Sequence, residues 1–226
     1  MTMRNGVSGF LVSAFLAVFA FAAATGFMAP QARAEANDDA ARAFIQTSID
    51  RGIAILKDKS LTEKERNARV RAILADLLDT RRIGLYALGD VRTKASRADL
   101  DAYLVAFRSF MIESYVSRLG GYGGQTLKIT GVIDHAPGDY VVRSVLVDPA
   151  NPGDPDPVHV DFRVFDENGA FAIVDADIAG VSLGRAQKSD FTGFLGQHNN
   201  SVPALTERLK TMTAEFTAPK QKPAAP

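Results

Sequence analysis

The spacing of apolar residues changes period twice along this chain, and that change restricts the fold more than any single motif does. From 41 to 119 apolar side chains recur at helical spacing. Phe44, Ile45, Ile49, Ile53 and Leu56 form one stripe, which Asp58-Lys59-Ser60 breaks. Thr62 and Glu65 have the spacing of a capping box, where hydroxyl and carboxylate satisfy free backbone donors reciprocally. The helix behind it carries Val70, Ile73, Leu74, Leu77 and Leu78 on one side. Asp79 and Thr80 restart the chain into a shorter helix over 81–88, which Gly89 ends. Ser96 caps a long helix over 97–119 with a heavy stripe of Leu100, Tyr103, Leu104, Phe107, Phe110, Met111 and Tyr115.

Gly120-Gly121-Tyr122-Gly123-Gly124 stops that helix. The glycine spacing fits no phosphate-cradling loop, and no helix follows it. The period then becomes two. Strands are expected over 126–133 and 140–147, joined by a Pro137-Gly138-Asp139 turn. The loop 148–157 has four prolines and three acids, Asp148, Asp154 and Asp156. It lacks the central Gly and terminal Glu of a calcium loop, so it reads as a stiff exposed connection. Val158, Val160, Phe162 and Val164 alternate with His159, Asp161 and Arg163, giving a strand with one dry face. Asn168-Gly169 is a hairpin turn into a last strand from Phe171 to Ile178. Helical spacing returns with Phe191, Phe194 and Leu195, and again behind Ser201 with Val202, Leu205, Leu209, Met212 and Phe216. The pattern predicts an α+β fold, with helices packed on one face of a curved antiparallel sheet of four strands.

Residues 1–34 stand apart from that pattern. Arg4, an apolar run over 10–21 and Ala32-Arg33-Ala34 together read as a secretory signal peptide, cleaved after Ala34. The apolar run is shorter than the ~20 residues needed to span a bilayer. A single domain over 35–216 and a disordered tail over 217–226 are expected to follow. The chain has no Cys, which excludes disulfides, thiolate chemistry and a lipid-anchored Cys. Its 26 basic and 26 acidic residues leave no basic excess for a nucleic acid. These features predict a soluble protein of a bacterial periplasm, and a monomer is expected.

Catalytic candidates centre on 171–184. Gly180-x-Ser182-x-Gly184 matches a nucleophile-elbow pattern, and Asp190 and His198 follow in the order of a triad. That elbow belongs to mostly parallel sheets with alternating helices, and partners this close leave no room for the strands that space a triad. Ser182 is therefore expected to cap or bond locally, with Gly180 and Gly184 freeing the backbone for a bend. Asp175 and Asp177 share a strand face and could form a general acid/base pair if buried. Alternation places them instead on a wet face opposite Val174, Ala176 and Ile178. A periplasmic isomerase or hydrolase acting on an apolar substrate through Asp175, Asp177 or Ser182 is the alternative these residues keep open. His135, His159 and His198 stand at no metal-ligand spacing. The excess of apolar surface without a catalytic constellation favours a protein that binds an apolar ligand, and not an enzyme.

Two stretches resemble the MlaC family of periplasmic phospholipid-binding proteins, the toluene-tolerance auxiliary components of an ABC transport system. One is Ile83-Gly84-Leu85-Tyr86-Ala87-Leu88-Gly89 followed by the helix from Ser96 to Tyr115 with its AYLVAFRSFMIESY core. The other is VHVDFRVF from Val158, then Asp175, Ile178-Ala179-Gly180-Val181-Ser182-Leu183, Ser189, Phe191 and the segment from Leu205 to Leu209. The resemblance runs from about Asp38 to Phe216, and a hopanoid-associated branch of the family is similar too. It implies a cone related to nuclear-transport-factor-2-like (NTF2-like) folds, with a deep apolar pocket between helices and sheet. It implies a carrier of phospholipid between an outer-membrane lipoprotein complex and an inner-membrane ABC transporter with a lipid-tunnel subunit, a role in outer-membrane lipid asymmetry. The cargo is then a phospholipid, with no cofactor and no metal. The expected pocket lining is Phe107, Phe110, Met111 and Tyr115 of the aromatic helix, Val160, Phe162 and Val164 of the dry strand face, Val145 beside it, and Phe191 and Phe194. Such a carrier needs no strong head-group site, and none is legible in the sequence.

Overall fold

The computed structural model describes residues 30–119 and 122–218. The apolar run of the expected signal peptide, Gly120-Gly121 and most of the expected tail lie outside the described residues. The chain forms α1 (Pro30–Lys57), α2 (Glu63–Leu77), α3 (Thr80–Leu88), a 3₁₀ turn (Gly89–Thr93) and α4 (Arg97–Leu119). Then come β1 (Thr126–Ala136), β2 (Asp139–Val147), β3 (Val160–Glu167), β4 (Ala170–Ile178), β5 (Val181–Ser182), α5 (Leu183–Gln197) and α6 (Val202–Thr217).

The helix starts follow their caps. Glu65 N–H donates to Thr62 Oγ1 at 3.2 Å while Thr62 N–H donates to Glu65 Oε2 at 2.8 Å, which completes the capping box. Asp79 Oδ1 accepts from Arg82 N–H at 2.8 Å, and Ser96 Oγ from Asp99 N–H at 3.1 Å. α1 begins at Pro30, ahead of the expected start at Ala41. It therefore runs through Ala34, the expected cleavage position. The polar stretch before Ala41 is rich in Ala and Glu-type helix formers and contains no breaker.

The sheet is an antiparallel meander in the order β1-β2-β3-β4-β5. It has five strands and not the expected four. After Ile178 the chain turns through Ala179 and Gly180, both with positive φ (52° and 83°), and pairs Ile178 with Val181 and Asp177 with Ser182. This hairpin is too short to show a period, and its Ala-Gly turn lacks the Asn-Gly signature seen at Asn168-Gly169. What reads as a bend is thus a strand pair followed directly by α5.

A bulge in β4 corrects a second expectation. Arg163 pairs with Asp175 and Val164 with Ile173, which leaves Val174 as the extra residue. The bulge turns Val174 to the same side as Asp175 and Asp177, not opposite them, and lets Ile173 point into the core.

The core has two large parts. One lies among helices, where Tyr103 and Phe107 of α4 meet Phe191 and Leu195 of α5 and Leu205 and Leu209 of α6. The other lies between the sheet and α1 and α2, where Ala41, Ile45 and Leu77 cover Tyr140, Val142, Val164 and Ile173. A smaller cluster of Val70, Ile112 and Val116 joins α2 to α4. A cavity sits between the sheet part and this smaller cluster.

Candidate functional site

The stripes of α1 and α2 do not close completely on the sheet. They leave an apolar cavity of about 310 Å³. Ile45, Ile49, Ile53 and Leu56 wall it from α1, and Val70, Ile73, Leu74 and Leu77 from α2. Val160 and Phe162 of β3 and Ile173, Ala176 and Ile178 of β4 form the opposite wall, with Tyr115 and Leu119 at the end of α4. Gly52 contributes directly to the space. A Cβ added there would meet no heavy atom within 4 Å, so a missing side chain in mid-helix leaves a gap in the stripe. Polar groups on the wall are few. The Ser48 hydroxyl donates to Phe44 O at 2.7 Å and is spent inside its own helix. The Tyr115 phenol is pushed up from its ordinary pKa by burial; Arg118 partly offsets this and Asp175 adds to it.

A second cavity, about 210 Å³, adjoins the first. The two share Leu78, Tyr115, Ile173, Ala176 and Leu183. Its apolar side is Phe107, Phe110 and Met111 of α4, and its polar side is Ser114 and Arg118 of α4 with Gln187 and Asp190 of α5.

The ten residues expected to line a pocket fall in different places. Tyr115, Val160 and Phe162 line the larger cavity. Phe107, Phe110 and Met111 border the smaller one, with Phe107 and Phe110 mainly engaged in the helical core. Val164 is fully buried in the sheet core. Val145 pairs with Lys128 and bridges His159, on the sheet face away from the cavity. Phe191 packs edge-on against Tyr103 and Phe107, with ring centroids at 6.3 and 6.1 Å. Phe194 stacks on His198 at 3.8 Å, with Arg208 at 4.7 Å over its ring. Sequence reasoning took the α1 and α2 stripes as ordinary core and missed their part in the wall. Gly52, set among apolar stripe positions, was the one signal that could have found it.

The catalytic candidates are absorbed by local structure. Ser182 Oγ accepts from Arg185 N–H at 3.1 Å, capping α5, and donates to Asp175 Oδ2 at 2.6 Å. Asp175 Oδ1 accepts from Gly184 N–H at 2.9 Å and Ala176 N–H at 2.8 Å. Asp177 faces Arg185 at 3.8 Å, and His198 Nδ1 lies 2.8 Å from Phe194 O. On the outer sheet face, Arg163 makes a bidentate pair with buried Asp139 at 2.9 and 2.6 Å, which raises the guanidinium's pKa further. Among the described residues no group of three His, Asp or Glu is placed to hold a metal ion.

Comparison with known proteins agrees with this architecture. A family model described as MlaC protein matches residues 46–211. Among solved structures, the fold is similar to that of a phospholipid-binding protein from Ralstonia solanacearum, determined in complex with a phospholipid at 1.53 Å resolution. The TM-score is 0.65 at 22% identity, over 78% of this chain and 98% of that one.

Proposed function

This chain belongs to the MlaC family, and from that premise we propose that it is a carrier of phospholipid which holds acyl chains in the apolar cavity. The observation that carries the reading is the chemistry of the wall. It is almost wholly hydrocarbon from six elements; the Ser48 hydroxyl on α1 is already satisfied by its helix, and the Tyr115 phenol is the other polar side chain on it. Such a wall offers little to a reacting group and suits a polymethylene chain. Each CH₂ left in water costs ~0.8 kcal/mol, so two tails of roughly 30 such groups cost on the order of 20 kcal/mol when exposed. A carrier must enclose them nearly completely.

At about 310 Å³ the cavity stands at the low end of ligand pockets, ~300–1,000 Å³. The finer parts of the reading rest on the family: export by the signal peptide over 1–34, a periplasmic location, and shuttling between an outer-membrane lipoprotein complex and an inner-membrane ABC transporter with its lipid-tunnel subunit. The neighbour from Ralstonia solanacearum, of like fold and with phospholipid bound, supports the cargo. Organic extraction of the gently purified protein followed by mass spectrometry tests the proposal. A two-tailed lipid at about one per chain is expected, and lipid-free material would overturn it.

A further inference from the structure

β2 and β3 keep one register along their length but not one set of bonds. Backbone pairing runs from Asp139 with Phe165 to Val142 with Phe162. The strands meet again where Val145 bridges His159 and Leu146 N–H donates to Val158 O at 2.8 Å. The same register would send Ser144 N–H to Val160 O. Side chains take that place instead. Ser144 Oγ donates to Val160 O, and Ser144 N–H donates to Asp161 Oδ1 at 3.3 Å. Asp161 Oδ2 lies 3.7 Å from Arg143 Nε. Ser144 is fully buried, on the face that Tyr140 and Val142 turn towards α1. Val160, its cross-strand neighbour, lines the larger cavity and pairs in turn with Ile178 of β4, another residue of that wall. The interrupted rung thus lies in the part of the sheet that walls the cavity.

Resting on the carrier reading above, we infer that Ser144 and Asp161 are positioning residues, a clasp that lets the β3–β4 wall draw away from β2 as a lipid tail enters or leaves. A backbone rung parts only when its strands part. The Ser144 hydroxyl and the Asp161 carboxylate turn on their own side-chain torsions, so their bonds follow a small separation of the strands. The carboxylate is partly in solvent, so water can replace it at Ser144 N–H. With the wall closed, the hydroxyl satisfies Val160 O, as a buried carbonyl requires. The clasp therefore governs how fast lipid exchanges, and the apolar wall governs what is held.

The test compares the wild type with Ser144→Ala and Asp161→Ala, each loaded with a fluorescent phospholipid and mixed with phosphatidylcholine vesicles. In Ser144→Ala the N–H at 144 is free to take Val160 O directly and complete the rung. Transfer to the vesicles should slow about tenfold, the effect of one added backbone bond on the barrier. Hydrogen exchange of the amide at 144, followed by NMR, should slow with it. Asp161→Ala releases the same N–H from the carboxylate and should slow transfer in the same direction by a smaller factor. Transfer at the wild-type rate in both variants, or faster exchange of the amide at 144 in Ser144→Ala, overturns the clasp and leaves the hydroxyl a plain strut. Failure of the wild type to take up the lipid overturns the carrier reading instead.

Discussion

Ser182 stands where a nucleophile would be looked for, and its neighbours have already used its hydroxyl. The oxygen caps α5 and donates to Asp175, which also gathers two backbone N–H groups. Replacing Ser182 with Ala should cost about 1–2 kcal/mol, the worth of a cap and a bond to a carboxylate, read from the urea midpoint. Lipid content should not change. Lost lipid at unchanged stability would contradict the structural role. The capping part of this role was legible, because a Ser before a helix is a local signal. Its bond to Asp175 was not, because it crosses a hairpin that the sequence does not announce.

Helices were the most legible elements. Thr62, Asp79, Ser96 and Ser201 each mark a start by a side-chain oxygen placed for a free N–H. How close two helices come was not legible. α3 approaches α4 through Gly84, where an added Cβ would stand 2.8 Å from Phe107 Cδ1 and 3.1 Å from Leu104 Cδ2. Tyr103 Oη donates to Gly84 O at 2.9 Å across the same crossing. Gly84→Ala should therefore destabilise by about 1–3 kcal/mol through overpacking and lower the Tm, although alanine favours the helix. An unchanged or raised Tm would mean the crossing has slack. In the sheet, the single residue Val174 changes which side chains face the core. Strict alternation cannot foresee a bulge, and so it placed Val174 wrongly and treated 179–184 as a bend.

Across the whole molecule, two cores are packed to different completeness. The helical one is packed by interlocked aromatic rings with the smaller cavity at its edge, and the sheet core leaves the larger void beside it. Apolar periodicity shows which faces are dry, yet filled and unfilled dry faces have the same periodicity. That is why the expected lining mixes residues that border a cavity, Phe107, Phe110, Met111, Tyr115, Val160 and Phe162, with others that pack in the core, such as Val164 and Phe191. Burial pushes the phenols of Tyr103, Tyr115 and Tyr140 above their ordinary value. Their folded pKa values exceed the unfolded ~10, so the associated stability is whole below pH ~10 and is lost as pH rises beyond it. Urea midpoints should stay level up to about that pH and then fall, and Tyr103→Phe should soften the fall. A midpoint that stays level well past that pH in the wild type would contradict these shifts.

The central claim is that the void is a lipid seat and not a packing fault, and Gly52 allows a direct test. Native mass spectrometry of gently purified protein should show one two-tailed lipid per chain for the wild type. Gly52→Leu projects a side chain into the open space and gains about 1 kcal/mol of helix propensity. It should fold with an equal or higher Tm and carry little lipid. A bare wild-type chain, or a Gly52→Leu variant loaded as fully as the wild type, would contradict the account.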